Sequence, residues 1–215
     1  MPMKSKQTKH EPYYYADKAS ELLRKKSAIR FRNSLGAMRA NDFDELNVIK
    51  TTDALFKALC RDNESTLLEL AELAFLNTKP EQKLVPRNKW LTDFLLEYEP
   101  VTRYVYENEI TRKRDRAKEA IVSAPDYPEK ERELKKAQIY WDNMTTQYCD
   151  LVSDAAELKA YRDSGAKKVR WITVEDGREC TTCHARNNVV YPIDRVPSKP
   201  HWGCRCRLVP VVETK

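Results

Sequence analysis

The stretch "ECTTCHARNNVVYPIDRVPSKPHWGCRC", residues 179–206, decides how the C-terminal part of this 215-residue chain folds. It holds four of the chain's six cysteines and two of its three histidines. A C-x-x-C pair begins the stretch, and a histidine followed by a C-x-C pair ends it. The full pattern, C-x2-C-x17-H-x2-C-x-C, is formed by Cys180, Cys183, His201, Cys204 and Cys206.

Three kinds of chemistry use a C-x-x-C pair. Cys180-Thr-Thr-Cys183-His184 matches the attachment pattern of a c-type haem, but that attachment needs export. The N-terminal sequence "MPMKSKQTKHEPYYY" lacks the apolar segment of a signal peptide. A redox dithiol favours a helix N-terminus, where the dipole lowers a thiol pKa, whereas this pair follows a predicted strand and turn. The second pair 20 residues on favours the third chemistry, a tetrahedral zinc site.

The zinc interpretation takes four ligands from five candidates. We expect Cys180 and Cys183 to be ligands. His184 is the least likely ligand, because it directly follows Cys183. The other two come from His201, Cys204 and Cys206, because H-x2-C and C-x-C spacings can both chelate. Four protein ligands would close the site and make the ion structural rather than catalytic. A module of about 50 residues rarely stabilises itself by core burial, whereas structural zinc contributes on the order of 10 kcal/mol in small domains.

Two residues before the first cysteine are expected to support the site without binding the ion. The Asp176 carboxylate can accept hydrogen bonds from backbone N–H groups of the turn that leads into the C-x-x-C pair. Arg178 flanks a ligand and can offset the negative charge of a thiolate-rich centre. Neither needs a catalytic role. Because the sequence contains no P-loop, no G-x-S-x-G and no nuclease-like acidic cluster, we expect no enzymatic activity.

The glycines divide the chain near Gly165. Only Gly36 precedes it, whereas Gly177 and Gly203 follow it. Scarce glycine suits long helices, and clustered glycine suits turns. The sequence therefore predicts an α+β, mostly α fold, with a helical N-terminal region over 1–125, a long helix over 126–164 and a zinc-stapled, β-rich Cys/His module over 165–215.

Apolar periodicity predicts the helices of the N-terminal region. One helix is expected over 16–35 and a second after Asn41. Start signals inside the second region predict a new helix near Thr51 and another that is capped by Asn63 or Ser65. A proline-containing loop and a short helix are predicted to follow.

The C-terminal half contains two kinds of sequence pattern, first helical and then strand-like. A helical pattern runs from about Glu129 to Ser164, and Gly165 is expected to terminate that helix as its C′ residue. β-branched and aromatic residues then predict three short strands, the last one at a sheet edge because it contains Pro210. The three strand sequences are "KKVRWITV", "NVVYPI" and "RLVPVV".

The composition restricts the class of protein. The net charge is +6, a mild basic excess that permits contact with nucleic acid or an acidic partner without requiring it. The longest apolar stretches are too short and too charged to span a bilayer. We expect a soluble protein of a reducing cytoplasm, so its cysteines need a non-disulfide role. Cys60 and Cys149 are isolated within helical patterns and are expected to be small buried hydrophobes.

The C-terminal residues resemble a known family over about 150–210. The chain is similar there to the phage Mu F-like minor head proteins, the phage head-morphogenesis family, and residues 126–215 together match its domain. The shared frame is Trp171-x-Thr173, then Asp176-x-Arg178-x-Cys180-x-x-Cys183, then a proline and His201 before Cys204-Arg205-Cys206.

The resemblance implies a structural role in a virion. Members are minor head components that associate with the portal and act in head assembly and, in some cases, in DNA packaging or delivery. The implied partners are the portal protein, other phage head proteins and packaged DNA, with no membrane at assembly and an oligomer imposed by the virion. The implied location is the phage head, after assembly in the host cytoplasm. A zinc-dependent DNA-binding protein is the alternative.

The most basic helical stretch is "TRKRDRAKEA", residues 111–120. Its cations are candidates for contacts to DNA phosphates or to an acidic portal surface. A solvated helix face with acidic neighbours is the interpretation that we favour. The candidate residues are Arg112, Lys113, Arg114 and Arg116.

Overall fold

The fold is α+β and mostly α, as the sequence predicts. The computed structural model describes residues 14–78, 109–174, 177, 179–201 and 204–211. Long helices precede a small C-terminal sheet. The elements are α1 (Tyr14–Arg39), α2 (Glu45–Thr78), α3 (109–123, the described part), α4 (Tyr127–Asp163), β1 (Lys168–Ile172), α5 (Thr181–Arg186), β2 (Val190–Pro192) and β3 (Arg207–Pro210).

The chain forms two compact units, and neither is continuous in sequence. One unit combines Met1–Lys18, Glu69–Phe94 and Thr146–Lys215, so it holds the sheet and the second half of α4. The other unit combines Ala19–Leu68 and Leu95–Thr145. The division into three consecutive segments that the sequence suggests stays a prediction.

Helix α1 follows the apolar periodicity of its sequence. From Leu23 to Met38, its five buried positions fall four, four, three and four residues apart, which places them on one face of a helix. Two of the five are serines, and Ser27 donates a hydrogen bond to Asp142. The stripe consists of Leu23, Ser27, Phe31, Ser34 and Met38.

Helix α2 is continuous, so the predicted helix starts at Thr51 and at Asn63 or Ser65 are wrong. The start signal that operates is Asp44, whose carboxylate accepts the backbone N–H three residues on at 3.1 Å. Asn63 does not act as a cap, because its side chain is buried and its amide donates to Thr145 Oγ1 at 3.1 Å. From the sequence alone, a polar residue that hydrogen-bonds to a distant residue in the core cannot be told from a helix cap.

The long helix α4 confirms the predicted one. Asp126 accepts the backbone N–H of Glu129 at 2.8 Å and so caps its first turn. Gly165 ends it with a φ of +83°, a left-handed conformation that glycine adopts without steric cost. The N–H groups of Gly165 and Ala166 donate to the carbonyls of Arg162 and Tyr161 at 2.8 and 3.0 Å. These two bonds form a Schellman motif.

The three strands form an antiparallel sheet in the order β2-β1-β3. Trp171 of β1 pairs with Leu208 of β3, and Val169 of β1 pairs with Tyr191 of β2. Strand β3 lies at an edge, as predicted from Pro210. The side chains of Val169 and Trp171 lie on the same face of β1 and are almost completely buried.

Some predictions fall on residues outside the described ranges. The proline-containing loop, the short helix after it and the first part of the helix that includes α3 lie largely in 79–108. Among the described helices, none combines the length and the apolar character that crossing a bilayer would need.

Candidate metal centre

Strand β1 supplies one wall of the candidate site. The inward positions Val169 and Trp171 of the strand, and Thr173 directly after its end, are all buried, because side chains two residues apart along an extended chain share a face. The Thr173 hydroxyl donates to the carbonyl oxygen of Cys183 at 2.8 Å. The strand is therefore tied directly to the segment that carries the first cysteine pair.

The first cysteine pair lies on α5, a short helix that the sequence analysis missed. Cys180 is its N-cap residue, and the Cys180 sulfur accepts the backbone N–H of Cys183 at 3.3 Å. The expectation that this pair lies away from a helix N-terminus is therefore wrong. A cysteine is not a common cap, so no cap signal marked the helix start. The backbone N–H of Cys183 is the main cause that lowers the pKa of Cys180 to about 7.

The second pair approaches along the chain that leads into β3. Cys204 and Cys206 are buried, whereas Arg205 between them is exposed. The same alternation continues to Leu208 inside the strand. The C-x-C spacing thus directs both sulfurs to one side, as strand geometry requires.

Five donor atoms converge in this module as two overlapping groups. Cys180, Cys183 and His201 have donor atoms within 4.8 Å of one another, and so do Cys183, Cys204 and Cys206. Cys183 belongs to both groups. Its sulfur lies 3.5 Å from Cys204 Sγ and 3.7 Å from His201 Nε2. A Zn–S bond of about 2.3 Å places two tetrahedral sulfur ligands about 3.8 Å apart, so these separations suit a shared ion.

The thiols differ in how readily they ionise. Burial raises the pKa of Cys183 and of Cys204 above the usual range. Burial also acts to raise the pKa of Cys206, but the neighbouring side chains of Cys183 and Thr173, which can donate to a Cys206 thiolate, outweigh burial and lower that pKa. Because metal ligands must be thiolates, a centre with two readily ionised sulfurs, Cys180 and Cys206, is prepared for a cation.

The surroundings of the cysteines contain one donor without an acceptor. The indole N–H of Trp171 is buried and makes no hydrogen bond among the described residues. Trp171 packs in one cluster with Cys183, Cys204 and Cys206. A buried donor that lacks a partner costs free energy. A thiolate, which a bound metal would stabilise, is the acceptor that this cluster can offer it.

An ion pair that the sequence analysis missed fixes the chain next to His201. Lys199 Nζ lies 2.7 Å from an Asp154 oxygen of α4, and the two side chains are only 7% and 13% exposed. Asp150 and Glu157 lie close to this pair. Burial is the main cause that raises the pKa of each of these carboxyls to about 7. The sequence did carry a signal for this acidic group, because Asp150, Asp154 and Glu157 recur at helical spacing on a half-apolar face of α4.

Three of the four candidate cations of the basic stretch, Arg112, Lys113 and Arg114, have local partners among the described residues. Arg114 Nε lies 3.3 Å from an Asp53 oxygen and 3.0 Å from an Asp115 oxygen. The Lys113 ammonium lies 4.0 Å from the centre of the Tyr140 ring. The remaining candidates are Arg112, which lies 3.7 Å from Glu109, and Arg116, which is exposed.

Five other residues that the sequence analysis singled out lie elsewhere. Asp176 and Arg178 lie outside the described residues. His184 is exposed on α5. Cys149 is buried within α4, as predicted, whereas Cys60 is only half-buried.

The Cys/His cluster near the C-terminus can hold a metal ion. Neither the family models nor the curated proteins nor the solved structures include a match to this chain. A functional assignment therefore depends on the geometry of the described residues and on the sequence itself.

Proposed function

We propose that this chain is a structural minor head protein of a tailed phage and that one zinc ion holds its C-terminal module together. The observation that carries the proposal is the convergence of the two cysteine pairs. Cys183 and Cys204 are 21 positions apart in sequence, and their sulfurs lie 3.5 Å apart. That approach joins two halves of a module whose sheet has only three short strands.

Zinc is the metal that the donor set favours. Thiolate and imidazole ligands in a tetrahedral arrangement select zinc or an iron–sulfur centre over magnesium or calcium. Four ligands from the protein leave no position for a reacting water. A structural ion and the absence of catalysis are therefore the consistent interpretation.

The phage role rests on the resemblance of about 150–210 to the Mu F-like minor head proteins. Two residues of that shared frame, Trp171 and Thr173, lie in the wall of the cysteine cluster, next to three of its cysteines. That arrangement supports a shared module rather than a chance cysteine spacing. We propose that the protein associates with the portal and other head proteins in the virion, after assembly in the host cytoplasm, and acts in head assembly with a part in DNA packaging or delivery.

The basic stretch gives little support to the alternative, a zinc-dependent DNA-binding protein. Arg114 and Lys118 both share the carboxylates of Asp53 and Asp115. Cations already paired with carboxylates have less to gain from phosphates, because the first ion pair must be broken.

Two measurements test the role. In purified particles, quantitative mass spectrometry is expected to find this chain at a copy number far below that of the major capsid protein. Absence from particles, or a copy number equal to the major capsid protein, would contradict a minor head role. With free duplex DNA, we expect only weak binding that salt abolishes. Tight binding with a sequence preference would instead establish the DNA-binding alternative.

A further inference from the structure

The three-stranded sheet has one face on the cysteine cluster and one face turned away from it. An antiparallel sheet of this kind ordinarily presents polar side chains to water on its second face. In β1, the side chains of Lys168, Arg170 and Ile172 alternate with those of Val169 and Trp171, which are buried against the cluster. The first three side chains therefore lie on the outward face of the sheet.

The strand register completes this outward face. Residues that are paired across neighbouring strands have their side chains on the same face. Arg170 is central, because it pairs with Val190 of β2 on one side and with Val209 of β3 on the other. Val174, two residues beyond Ile172, continues the outward row of β1. The outward face consists of Lys168, Arg170, Ile172, Val174, Val190, Pro192, Arg207 and Val209.

The composition of the outward face differs from the polar one that water favours. Five of its eight residues are apolar, three are cations, and none is acidic. Val174 and Val190 are 40% and 41% exposed, although both are large apolar side chains. Covering them would remove apolar surface from water, which is favourable. Arginine among apolar residues is typical of the centre of a protein–protein interface.

Arg170 sets the chemistry of the surface that can cover this face. Because Arg170 lies between Val190 and Val209, a surface that covers both valines also removes the guanidinium from water. A buried charge without a partner costs free energy, so the covering surface must supply a carboxylate. A carboxylate can accept two parallel hydrogen bonds from a guanidinium. Lys168 and Arg207, in the adjacent rows, favour further acidic groups.

Nucleic acid is the other anionic partner, and the outward face suits it less well. Sheets that bind single strands stack the bases on aromatic side chains. The aromatic residues of these three strands are Trp171 and Tyr191, and both pack on the cluster side of the sheet. A phosphate backbone has no apolar side chain with which to cover the valines. The outward face therefore favours an acidic segment of a protein.

We propose that the outward face of the sheet is a docking surface for an acidic protein segment that carries apolar side chains between its carboxylates. One carboxylate pairs with Arg170, and the apolar side chains cover Val190 and Val209. This inference deepens the proposed function, which names portal and head proteins as partners, and it rests on that function only for the source of the segment. The cysteine cluster lies on the opposite face and takes no part in the contact.

A peptide titration of the full-length chain tests the surface. The probe is a short synthetic peptide of alternating glutamate and valine. One control peptide has glutamine at every glutamate, and the other has serine at every valine. We expect the probe to shift the amide signals of β1, β2 and β3 in nuclear magnetic resonance spectra, and each control to bind at least about 10-fold more weakly. No binding, equal binding of the three peptides, or shifts confined to other elements would overturn the inference.

Substitutions on the outward face identify the side chains that bind. We expect Arg170→Glu to weaken binding of the glutamate–valine peptide at least about 10-fold. Arg32→Glu, at an exposed position of α1 in the other compact unit, makes the same change in net charge and should leave the affinity unchanged. Val190→Ser keeps every charge and should also weaken binding, which separates apolar contact from charge and serves if Arg170→Glu does not fold. Equal losses for Arg170→Glu and Arg32→Glu, or no loss for Val190→Ser, would refute the docking surface.

Photo-crosslinking in purified particles tests the source of the segment. A photoreactive amino acid at Val190 is expected to capture a segment of a portal or head protein that is rich in aspartate and glutamate. The same amino acid at Ile139, which is 52% exposed on α4, is the control for captures that do not depend on the sheet. Cross-links from Val190 to DNA, or to a segment without acidic residues, would contradict the inference. If the chain is absent from particles, the proposed function fails, whereas the peptide titration still decides the docking surface.

Discussion

The cysteine cluster of the C-terminal module and the basic stretch of α3 are both concentrations of one residue type. Their side chains nevertheless find different kinds of partners. The sulfurs of Cys183 and Cys204 come together across 21 positions of chain. The guanidinium of Arg114 instead finds carboxylates at Asp53 and Asp115 within its own unit. The donor atoms of the cluster can together hold a metal ion, whereas Arg114 of the basic stretch is already paired with carboxylates.

This contrast gives a way to rank candidate sites. A run of charged residues near other charges satisfies itself, because surface ion pairs form readily and contribute little. Cysteine thiols that converge satisfy one another poorly without a metal, since thiols are weak donors and weak acceptors. Substitutions in the two regions should therefore differ in effect, from a loss of the module's fold at the cysteines to almost no change at the exposed arginines.

Replacing the shared cysteine should cause the largest loss. Cys183→Ala removes the donor common to both groups of metal-binding atoms. We expect metal binding to be lost and the module to unfold, at a cost of several kcal/mol and up to the order of 10 kcal/mol that structural zinc contributes in small domains. Elemental analysis and denaturant unfolding followed by circular dichroism measure the two effects.

Cys149→Ala is the matched control, because Cys149 is equally buried but lies within α4, away from the cluster. We expect it to retain the metal and to lose only about 1–2 kcal/mol of unfolding free energy, the cost of a small cavity. Equal losses for the two variants would mean that the cluster cysteines serve as ordinary core residues.

Breaking the buried ion pair should come second. Lys199→Met leaves the Asp154 carboxylate buried without its cation, and removing one partner of such a pair costs about 3–5 kcal/mol. Lys25→Met is the control, because Lys25 pairs with Glu21 at a similar distance while both side chains are more than half exposed. That variant should lose at most about 1 kcal/mol. Similar small losses would show that the Lys199 pair does not anchor the chain beside His201.

The pH dependence of stability should report the two carboxyls near that pair. The pKa of Asp150 is raised to about 7 in the folded protein, mainly by burial, so the folded state prefers the protonated form. Its stabilising contribution is complete below the ordinary carboxyl pKa of about 4 and is lost as the pH rises through about 7. Asp150→Asn should therefore stabilise the protein more at pH 8 than at pH 5.5.

Comparing variant with wild type at each pH cancels the pH dependence of metal binding, which the two proteins share. Glu157, whose pKa is also raised to about 7, mainly by burial, remains in both proteins. Urea unfolding at the two pH values measures the difference. A stabilisation that does not change with pH would show that Asp150 is ionised throughout this range.

The smallest effects should come from the basic stretch. Arg114→Ala loses contacts to two carboxylates and is expected to cost no more than about 1 kcal/mol of unfolding free energy. Arg116→Ala, at an exposed position of the same helix, should change it by less than about 0.5 kcal/mol. Neither should alter binding to duplex DNA by more than a few-fold in an anisotropy titration. A large loss of DNA binding would show that α3 contacts DNA, and would support the DNA-binding alternative.

Much of the fold could be predicted because its signals are local. The long helix that ends before Gly165, and the three strands with Pro210 at the edge, follow from periodicity and from the conformations of single residues. The predictions failed where a local signal had a distant explanation. Asn63 has the appearance of a cap, but its amide is satisfied by Thr145, which is 82 positions away.

For the candidate site, the sequence predicts the donors but not their surroundings. Their spacing is enough to predict that five donors converge, which are Cys180, Cys183, His201, Cys204 and Cys206. The helix that starts at Cys180 and the ion pair of Lys199 depend on hydrogen bonding and burial that arise only once the module is folded. The orphaned N–H of Trp171 likewise exists only in three dimensions.

Metal content is the most direct test of the central claim that the cysteine cluster holds a structural zinc ion. The zinc content of protein purified without added metal would be measured by elemental mass spectrometry. In parallel, the native protein would be treated with an alkylating reagent to find which cysteines react. We expect about one zinc per chain, with Cys180, Cys183, Cys204 and Cys206 protected until a chelator is added. Zinc near zero, with these four cysteines alkylated freely in the native protein, would contradict the claim.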